Sequence, residues 1–429
     1  MTAKILLVNP PIYDFAAYDF WIKPYGLLQI AGKLQGKATL KLFDYLDRSH
    51  PFMANQKELK SDLWGRGRFY CEKIPNPPCL EQIPRYFRRF GLPRYLFQEF
   101  LKQQGPFDFA LVQTTMTYWY LGYQEVIRDI RQNRPDTKII LGGNYATICT
   151  NHAKTLEADF LLTGTNLQPL WEYLNIKPNL QQPALWSAYE KLNIGVLKLT
   201  DGCPFNCTYC CVPKVYDKFK QRPMELCLAE LEMLVKHEVN NIAFYDDALL
   251  FKAEKVLVPF LEEVLRRNIK VNFHTPNGLH ARFITKSLAE LMVRAGFKTF
   301  YLGFASASLE WQRSTGSKVF ADELAQAVEH LIAAGAEPKN ITVYQILGHP
   351  KINIQQLEES MQFVNNLKVR GMLADFSPIP GTIDGELCGK WVNMNEPLFH
   401  NKTAFPIILL GFKKVNQLKD LQRQLNRRL

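Results

Sequence analysis

Residues 200–211 read TDGCPFNCTYCC and come directly after a buried-type strand, Ile194–Thr200. Cys203, Cys207 and Cys210 stand in a C-x3-C-x2-C spacing. Thiolates are the ligands of iron–sulfur clusters, and four of them normally complete a cubane. No fourth cysteine follows at a matching interval, so we expect one iron to lack a protein ligand, as in catalytic rather than structural metal sites. A zinc site completed by a distant histidine is the alternative.

Alternating strands and helices surround this segment. Apolar runs predict six strands, at Ile194–Thr200, Asn241–Tyr245, Lys270–His274, Thr299–Gly303, Ile341–Leu347 and Leu373–Pro378. The helices between them are Glu225–Lys236, Val256–Arg267, Lys286–Ala295, Asp322–Ala334 and Ile354–Asn366. This pattern predicts a (β/α)6-type partial TIM barrel over residues 190–385. In such barrels the chemistry lies at the carboxyl ends of the strands, where the cysteine segment falls.

The first 185 residues form a second α/β pattern. Five strands are predicted, at Lys4–Val8, Leu40–Tyr45, Phe107–Thr114, Lys138–Leu141 and Phe160–Thr163. Helices lie between them, so we expect right-handed crossovers and a doubly wound, flavodoxin-like parallel sheet. Ligands of such sheets bind beyond the carboxyl ends of the strands. Small residues gather there, but any such sheet needs small residues at its turns, and spacing alone does not name the ligand.

Two segments lie outside these patterns. Residues 51–105 form an insertion too long for an ordinary connection, with six prolines, ten aromatic residues and ten Lys or Arg against five acids. Its aromatic content predicts that it folds onto other parts of the chain, either as a cover for the ligand edge or substrate pocket or as a structural lid. Residues 386–429 form a C-terminal extension with a basic helix.

Composition indicates the expected cellular location of the protein and the chemistry of its cysteines. It has 429 residues, a formal net charge of +11 and nine cysteines. No secretory signal and no apolar run long enough to cross a bilayer is visible, so we expect a cytoplasmic protein without membrane contact. An odd number of cysteines then favours thiol or metal chemistry over disulfides. The basic C-terminal segment is interpreted as a solvated helix, with a nucleic-acid contact as the less favoured alternative.

The cysteine segment, with Tyr209 before its last cysteine, resembles the signature of the radical S-adenosylmethionine (SAM) superfamily. The resemblance implies a [4Fe–4S] cluster on Cys203, Cys207 and Cys210, whose free iron takes the amino and carboxylate groups of SAM. One electron from the reduced cluster then cleaves SAM to methionine and a 5′-deoxyadenosyl radical, which abstracts hydrogen from substrate. It further implies an electron donor such as flavodoxin or ferredoxin.

Later strand ends extend this resemblance. Phe244-Tyr245-Asp246-Asp247 falls where the family receives the SAM amino group, and a carboxylate suits an ammonium. Gly303-Phe304-Ala305-Ser306 resembles another strand end, although the family often has glutamate where this chain has Ala305, with Ser306 as a substitute. The SAM-binding residues that the resemblance implies are Tyr209, Asp246, Asp247, Asn277, Ser306 and Gln345.

The order of the two domains resembles the cobalamin-binding-domain class of the superfamily, over roughly residues 1–385. The resemblance places cobalamin at the first sheet, with contacts from Asn9, Thr114, Thr115, Gly142, Gly143, Tyr145 and Thr147. The chain lacks an Asp-x-His-x-x-Gly motif and so offers no histidine to cobalt. Two interpretations remain open: cobalamin bound without a histidine ligand, or a degenerate domain that binds none.

The class implies methyl transfer from methylcobalamin to an unactivated carbon of a small molecule or peptide. Two alternatives remain: a radical SAM enzyme that modifies RNA, and a non-catalytic iron–sulfur or corrinoid-binding protein. The sequence identifies no catalytic acid or base. His274, His280, Tyr344 and His349 are the candidates for facing the barrel mouth, although such residues are more often packed or solvent-facing.

Overall fold

The computed structural model describes residues 2–56, 59–351 and 353–429. The chain divides into two compact units. The first contains Met1–Asn193, Ala229–Glu238 and Asn395–Asn401, and the second contains Ile194–Leu228, Val239–Met394 and Lys402–Leu429. No helix among the described residues combines the length and the apolar character needed to cross a lipid bilayer.

The first unit is built on a parallel sheet. Its strands in chain order are β1 (Lys4–Asn9), β2 (Ile12–Asp14), β3 (Thr39–Asp44), β4 (Cys71–Ile74), β5 (Phe87–Phe90), β6 (Phe109–Thr114), β7 (Lys138–Gly143) and β8 (Phe160–Leu162). Its helices are α1 (Tyr25–Leu34), α2 (Pro51–Ala54), α3 (Arg94–Gln104), α4 (Tyr120–Asn133), α5 (Asn144–Ile148), α6 (Thr150–Ala153) and α7 (Gln168–Leu174). Five strands pair in parallel in the order β3-β1-β6-β7-β8. This is the flavodoxin-like order, so the prediction of a doubly wound sheet is confirmed.

Alternate residues of the central strands enter two different cores. In β1, Leu6 and Val8 pack with α3 and α4, whereas Ile5 and Leu7 pack with α1 and α7. This alternation is the two-residue period of a strand that is covered on both faces. It explains why β1 reads as a continuous apolar run.

The insertion between β3 and β6 joins the first core. Its strands β4 and β5 form an antiparallel sheet with β2, in the order β2-β5-β4. Arg89 of this sheet forms a buried ion pair with Glu125 of α4, with 2.7 Å between Nη2 and Oε1. Arg94 of α3 pairs with Asp129, which also lies on α4, again at 2.7 Å. The insertion is therefore fastened to α4 by two guanidinium–carboxylate pairs as well as by apolar contacts.

Replacing Arg89 with alanine should strongly destabilise the first unit. It would leave the Glu125 carboxylate buried without its cation, which typically costs about 3–5 kcal/mol. Urea unfolding followed by tryptophan fluorescence would measure this loss. Arg68→Ala, at an exposed arginine of the same insertion, should change stability little. The double variant Arg89→Met/Glu125→Leu should recover much of the loss, and a failure to recover would contradict the assignment of the loss to the unpaired charge.

The second unit holds the other parallel sheet. Its strands are β9 (Gly195–Leu197), β10 (Thr200–Asp201), β11 (Lys220–Gln221), β12 (Asn241–Phe244), β13 (Asn272–Leu279), β14 (Phe297–Ala305), β15 (Ile341–Leu347) and β16 (Arg370–Asp375). Its helices are α8 (Val212–Val215), α9 (Met224–Lys236, divided between the units), α10 (Leu257–Arg266), α11 (Lys286–Arg294), α12 (Leu309–Ser314), α13 (Ala321–Ala333), α14 (Ile354–Asn366), α15 (Ile383–Leu387), α16 (Ala404–Leu410) and α17 (Phe412–Asn426).

Six strands of this unit pair in parallel, in the order β16-β15-β14-β13-β12-β9. Within the described residues β9 and β16 do not pair with each other, so the barrel is partial, as predicted. The longest departure from the predicted bounds is β13, which continues five residues beyond His274 to Leu279. Its register with β14 shifts between Thr275 and Leu279. The segment contains Pro276 and Gly278, which a sequence pattern reads as a strand end.

Candidate functional site

The cysteine segment begins where β10 pairs with β11. Gly202 follows β10 with φ of +75°, a left-handed conformation that glycine adopts without steric cost. A Cβ on Gly202 would lie 2.9 Å from the carbonyl oxygen of Lys218. The turn into Cys203 therefore requires glycine for its backbone angle and for the close approach of the segment before β11.

Cys203, Cys207 and Cys210 are free and half-buried on one loop. Burial raises the pKa of Cys203, and it raises the pKa of Cys210 to about 12; the charge of Cys207 adds to both effects. The three thiols are thus electrostatic neighbours, and metal binding would have to displace protons from Cys203 and Cys210. Within the described residues no group of three or more His, Cys, Asp or Glu side chains is already arranged as metal ligands. The thiols would have to turn toward a common point to bind a cluster.

Asp246 holds the start of this loop. Its Oδ1 accepts hydrogen bonds from the backbone N–H of Leu199 (3.0 Å), the backbone N–H of Thr200 (2.6 Å) and the Thr200 hydroxyl (2.6 Å). Burial raises the pKa of this carboxyl to about 6, against the hydrogen bonds from Thr200 and the charge of Lys198. The second oxygen, Oδ2, is buried and has no hydrogen-bond partner among the described residues. Such an orphaned acceptor is costly unless a ligand completes it.

Asp384 holds the middle of the loop. Its carboxylate is fully buried, accepts hydrogen bonds from the Thr208 hydroxyl and from His349 Nε2 (3.1 Å), and pairs with Lys351 Nζ at 2.5 Å. Its backbone N–H donates to the Thr208 carbonyl at 3.1 Å. Burial alone would raise the pKa of Asp384, but the hydrogen bonds from His349, Lys351 and Thr208 hold it well below its usual range. The carboxylate therefore stays ionised.

Aromatic and backbone contacts complete the support of the loop. The Tyr209 ring stacks on Trp311 at 5.9 Å between centroids and meets the His349 ring edge-on at 6.1 Å. A Cβ on Gly316 would lie 3.1 Å from the Cα of Cys207, so a side chain at that position would press on the ligand segment. The segment between Cys207 and Cys210 is therefore enclosed on several sides.

A cleft opens beside the loop at the carboxyl ends of β12 and β13. It contains about 260 Å³ of empty space, part of it open to solvent, and is lined by Phe244, Asp246, Asp247, Ala248, Leu249, Thr275, Asn277, Gly278, Leu279 and His280. The structure thus brings together three of the residues implied for SAM, Asp246, Asp247 and Asn277. Asn277 Nδ2 donates to the carbonyls of Tyr245 (3.0 Å) and Asp246 (3.3 Å), which fixes its orientation.

Three other residues implied for SAM do not line this cleft. Ser306 is buried, and its hydroxyl accepts from the Ser308 backbone N–H at 3.1 Å. Gln345 is buried, and its Nε2 donates to the Ser360 carbonyl at 3.3 Å. Tyr209 packs on Trp311, as described above. Their roles in SAM binding stay predictions.

The cleft region also contains polar side chains that the sequence did not assign to SAM. His280 lines it with neither ring nitrogen hydrogen-bonded to any described residue. Burial, followed by the charges of Lys318 and Arg282, lowers the pKa of His280 to about 3, so its ring is neutral. Lys318 makes no ion pair with the described residues. Its charge also lowers the pKa of Cys203 and Cys210 against the effect of burial, which places the ammonium beside the loop.

The other candidates for the barrel mouth have structural partners. His274 is completely buried and is hydrogen-bonded to Thr299 and Asn241. His349 belongs to the Asp384 network. The Tyr344 hydroxyl donates to the Pro276 carbonyl at 2.9 Å.

In the first unit, the residues implied for cobalamin lie at or just beyond the ends of β1, β6 and β7. Several side chains there are already engaged. Asn9 donates to Asp44 at 2.6 Å, Thr114 to the Gly142 carbonyl at 3.0 Å and Thr147 to the Gly143 carbonyl at 2.9 Å. Gly143 has φ of +120°, and a Cβ there would lie 2.0 Å from the Thr114 carbonyl oxygen.

Further residues at this edge differ in how far their side chains are exposed. Tyr145 is fully buried, and its hydroxyl is 2.6 Å from His152 Nδ1, so it belongs to the core. Thr115 is half-buried, and its backbone N–H donates to the Tyr123 hydroxyl at 2.8 Å. Met116 beside it is 46% exposed. A flat ligand at this edge would therefore meet backbone and Met116 more than the predicted hydroxyl groups.

Replacing Thr208 with valine should weaken the hold on the cysteine loop. The change keeps the shape of the side chain but removes a donor to a buried carboxylate, which typically costs about 1–3 kcal/mol. In the reconstituted protein we expect faster loss of iron to a chelator, followed by absorbance. Thr39→Val, at an exposed strand position, is the matched control. Equal rates of iron loss in both variants would show that Asp384 does not restrain the loop.

Comparison with known proteins finds similarity over the region that contains this site. Residues 197–364 match the model of the radical SAM superfamily. Ribosomal protein uS12 methylthiotransferase RimO of Citrifermentans bemidjiense is 28% identical over 152 residues, which cover 34% of this chain and 32% of that protein. Bacteriochlorophyllide d C-12(1)-methyltransferase of Chlorobaculum tepidum is 28% identical over 198 residues, which cover 39% of this chain and 42% of the relative. The chain thus spans less than half the length of these curated relatives.

Among solved structures, the fold extends over both units. The radical SAM methyltransferase TsrM of Kitasatospora setae, determined with cobalamin and a [4Fe–4S] cluster bound, superposes with a TM-score of 0.68 at 13% identity. The match covers 98% of this chain and 91% of that one. Residues 197–364 of this chain thus match the radical SAM superfamily, and the chain has the fold of TsrM, a radical SAM methyltransferase.

Proposed function

We propose that this chain is a radical SAM enzyme that carries a [4Fe–4S] cluster on Cys203, Cys207 and Cys210 and binds SAM in the adjoining cleft. The observation that carries the proposal is the position of three neighbouring thiols on one anchored loop, beside a cleft that contains an unpartnered buried carboxylate oxygen. A cluster held by three thiolates supplies an open iron and the electron that cleaves SAM.

The charges of the cleft fit the amino-acid end of SAM. Asp246 Oδ2 has no hydrogen-bond partner among the described residues and would accept a hydrogen bond from the SAM ammonium. Lys318 lies near the loop, forms no ion pair with the part of the chain that the structure describes, and would bind the carboxylate of SAM. His280 is kept neutral by its surroundings and would offer one donor and one acceptor to the rest of the molecule. Asn277 is held in place by its bonds to two carbonyls and would line the wall.

For the reaction, we propose methyl transfer to an unactivated carbon, with cobalamin bound at the carboxyl edge of the first sheet as the source of the methyl group. The shared fold with TsrM, whose structure contains cobalamin, and the sequence similarity to a methyltransferase support this choice. The edge offers backbone and an exposed Met116 to a flat ligand and no histidine from a cobalt-binding motif. The substrate would be a small molecule or peptide, and a flavodoxin or ferredoxin would supply electrons.

The cluster assignment predicts that each of the three cysteines is required. In anaerobically reconstituted protein, Cys203→Ala, Cys207→Ala or Cys210→Ala should remove most of the cluster absorbance and abolish formation of 5′-deoxyadenosine from SAM. Cys71→Ala, at an exposed cysteine, should leave both unchanged. A wild-type protein with a full cluster and reductant that forms no 5′-deoxyadenosine would exclude the radical reaction and favour a non-catalytic iron–sulfur protein.

SAM affinity should depend on the ionisation of Asp246. Because burial raises the pKa of this carboxyl to about 6, it becomes neutral as the pH falls through 6 and no longer attracts an ammonium. SAM binding to the cluster-loaded protein, measured by equilibrium dialysis, should therefore weaken below this pH. Asp246→Asn keeps an acceptor for the Leu199 and Thr200 N–H groups, and it should bind SAM more weakly above pH 6 and lose the pH dependence. Asp322→Asn, at an exposed helical aspartate, should behave as wild type.

Methylthio transfer is the second candidate, because methylthiotransferases are among the relatives, including the threonylcarbamoyladenosine tRNA methylthiotransferase MtaB of Thermotoga maritima, 23% identical over 282 residues. Extraction of bound cofactor from the purified protein distinguishes these two candidate functions. A bound corrinoid supports methyl transfer through cobalamin. Protein that binds no added corrinoid but retains RNA would favour the alternative.

A further inference from the structure

A group of exposed lysines lies directly after the cysteine loop. Lys214, Lys218 and Lys220, called here the lysine patch, are all exposed and form no ion pair with any residue in the described part of the chain. Residues 212–222 contain four basic side chains, these three and Arg222, against one acid, Asp217. The segment therefore has a local excess of positive charge, and within the described residues none of its three lysines forms an ion pair.

The lysine patch is physically close to the three thiols. Lys214 lies four residues after Cys210, on α8, whose backbone bonds begin at the Cys211 carbonyl; four helical residues span only about 6 Å. The backbone at Lys218 contacts Gly202, the residue before Cys203. The backbone of Lys220 lies opposite that of Asp201 in the antiparallel β10–β11 ladder. The segment that carries the patch thus lies against both ends of the cysteine loop.

Some other basic side chains of this unit are ion-paired. On α17, Lys419 pairs with Asp375 at 2.7 Å, and Arg423 pairs with Asp420. Lys198, which lies near the patch in sequence, is buried and pairs with Asp201 at 2.9 Å. The unpaired lysines beside the cysteine loop are therefore free to act on an approaching partner.

We propose that the lysine patch is the docking surface for an acidic one-electron carrier protein. The inference rests on the proposed function, because a cluster on this loop must receive an electron from outside the chain. One electron passes from the reduced carrier, which is oxidised, to the cluster, which is reduced, and no bond forms or breaks. Complementary charge raises the rate of such encounters by about 10- to 1,000-fold at low salt. Docking here places the carrier against a segment that adjoins the cysteine loop.

The test compares two reductants of one protein. In the triple variant Lys214→Glu/Lys218→Glu/Lys220→Glu, reduction of the reconstituted cluster by photoreduced flavodoxin, followed by stopped-flow absorbance at low salt, should slow by about tenfold or more. Reduction by dithionite should be unchanged. The triple variant Lys286→Glu/Arg294→Glu/Lys298→Glu changes the charge equally at three exposed basic residues of α11 and β14, and it should retain the wild-type rate with both reductants.

The outcomes separate the inference from the proposed function. A wild-type protein that assembles no cluster, or whose cluster dithionite cannot reduce, would overturn the proposed function and the inference with it. A patch variant with normal iron content and an unchanged rate with flavodoxin would overturn the inference alone. Loss of RNA retention with an unchanged flavodoxin rate would assign the surface to nucleic acid instead. Should the triple glutamate variant fail to fold, the glutamine variants of the same lysines provide the comparison, with a smaller decrease in rate expected.

Discussion

Two buried carboxylates restrain the loop on which the proposed chemistry depends. Asp246 binds the backbone just before the loop, and Asp384 binds Thr208 between two of the cysteines. A short loop with three half-buried thiols has little regular structure of its own, so its conformation must come from such outside contacts. The two carboxylates differ in their partners: Asp384 accepts from Thr208 and His349 and pairs with Lys351, whereas Asp246 Oδ2 has no hydrogen-bond partner among the described residues.

The unsatisfied groups near the cleft indicate the kind of ligand that fits. Asp246 Oδ2 lacks a donor, and Lys318 lacks a counter-ion within the described residues. Burying an unpaired polar or charged group costs free energy that a bound partner can offset. A zwitterion with an ammonium and a carboxylate would satisfy both, and the amino-acid end of SAM has these groups. The same cleft holds a neutral His280, whose burial disfavours its protonated form.

In the first unit, by contrast, several polar side chains at the edge of the sheet are already hydrogen-bonded within the protein. Thr114 and Thr147 bond to neighbouring backbone at the edge of the sheet, and Tyr145 bonds to His152. These residues shape the turns and leave few free hydroxyl groups for a ligand. The insertion contributes to stability through buried ion pairs such as Arg89–Glu125, so it is part of the core of this unit. A role as a cover for a ligand stays a prediction.

The sequence by itself determined the two parallel sheets and the cysteine spacing, because strand and helix periodicity and a C-x3-C-x2-C interval are local properties of the chain. Only the tertiary structure decided which distant residues meet the loop. Asp384 bonds to a residue 176 positions earlier, and no local pattern specifies such a contact. The orphaned oxygen of Asp246, the unpaired Lys318 and the engaged hydroxyl groups of the first sheet likewise follow from packing, because hydrogen-bond satisfaction depends on every neighbour that folding brings into contact.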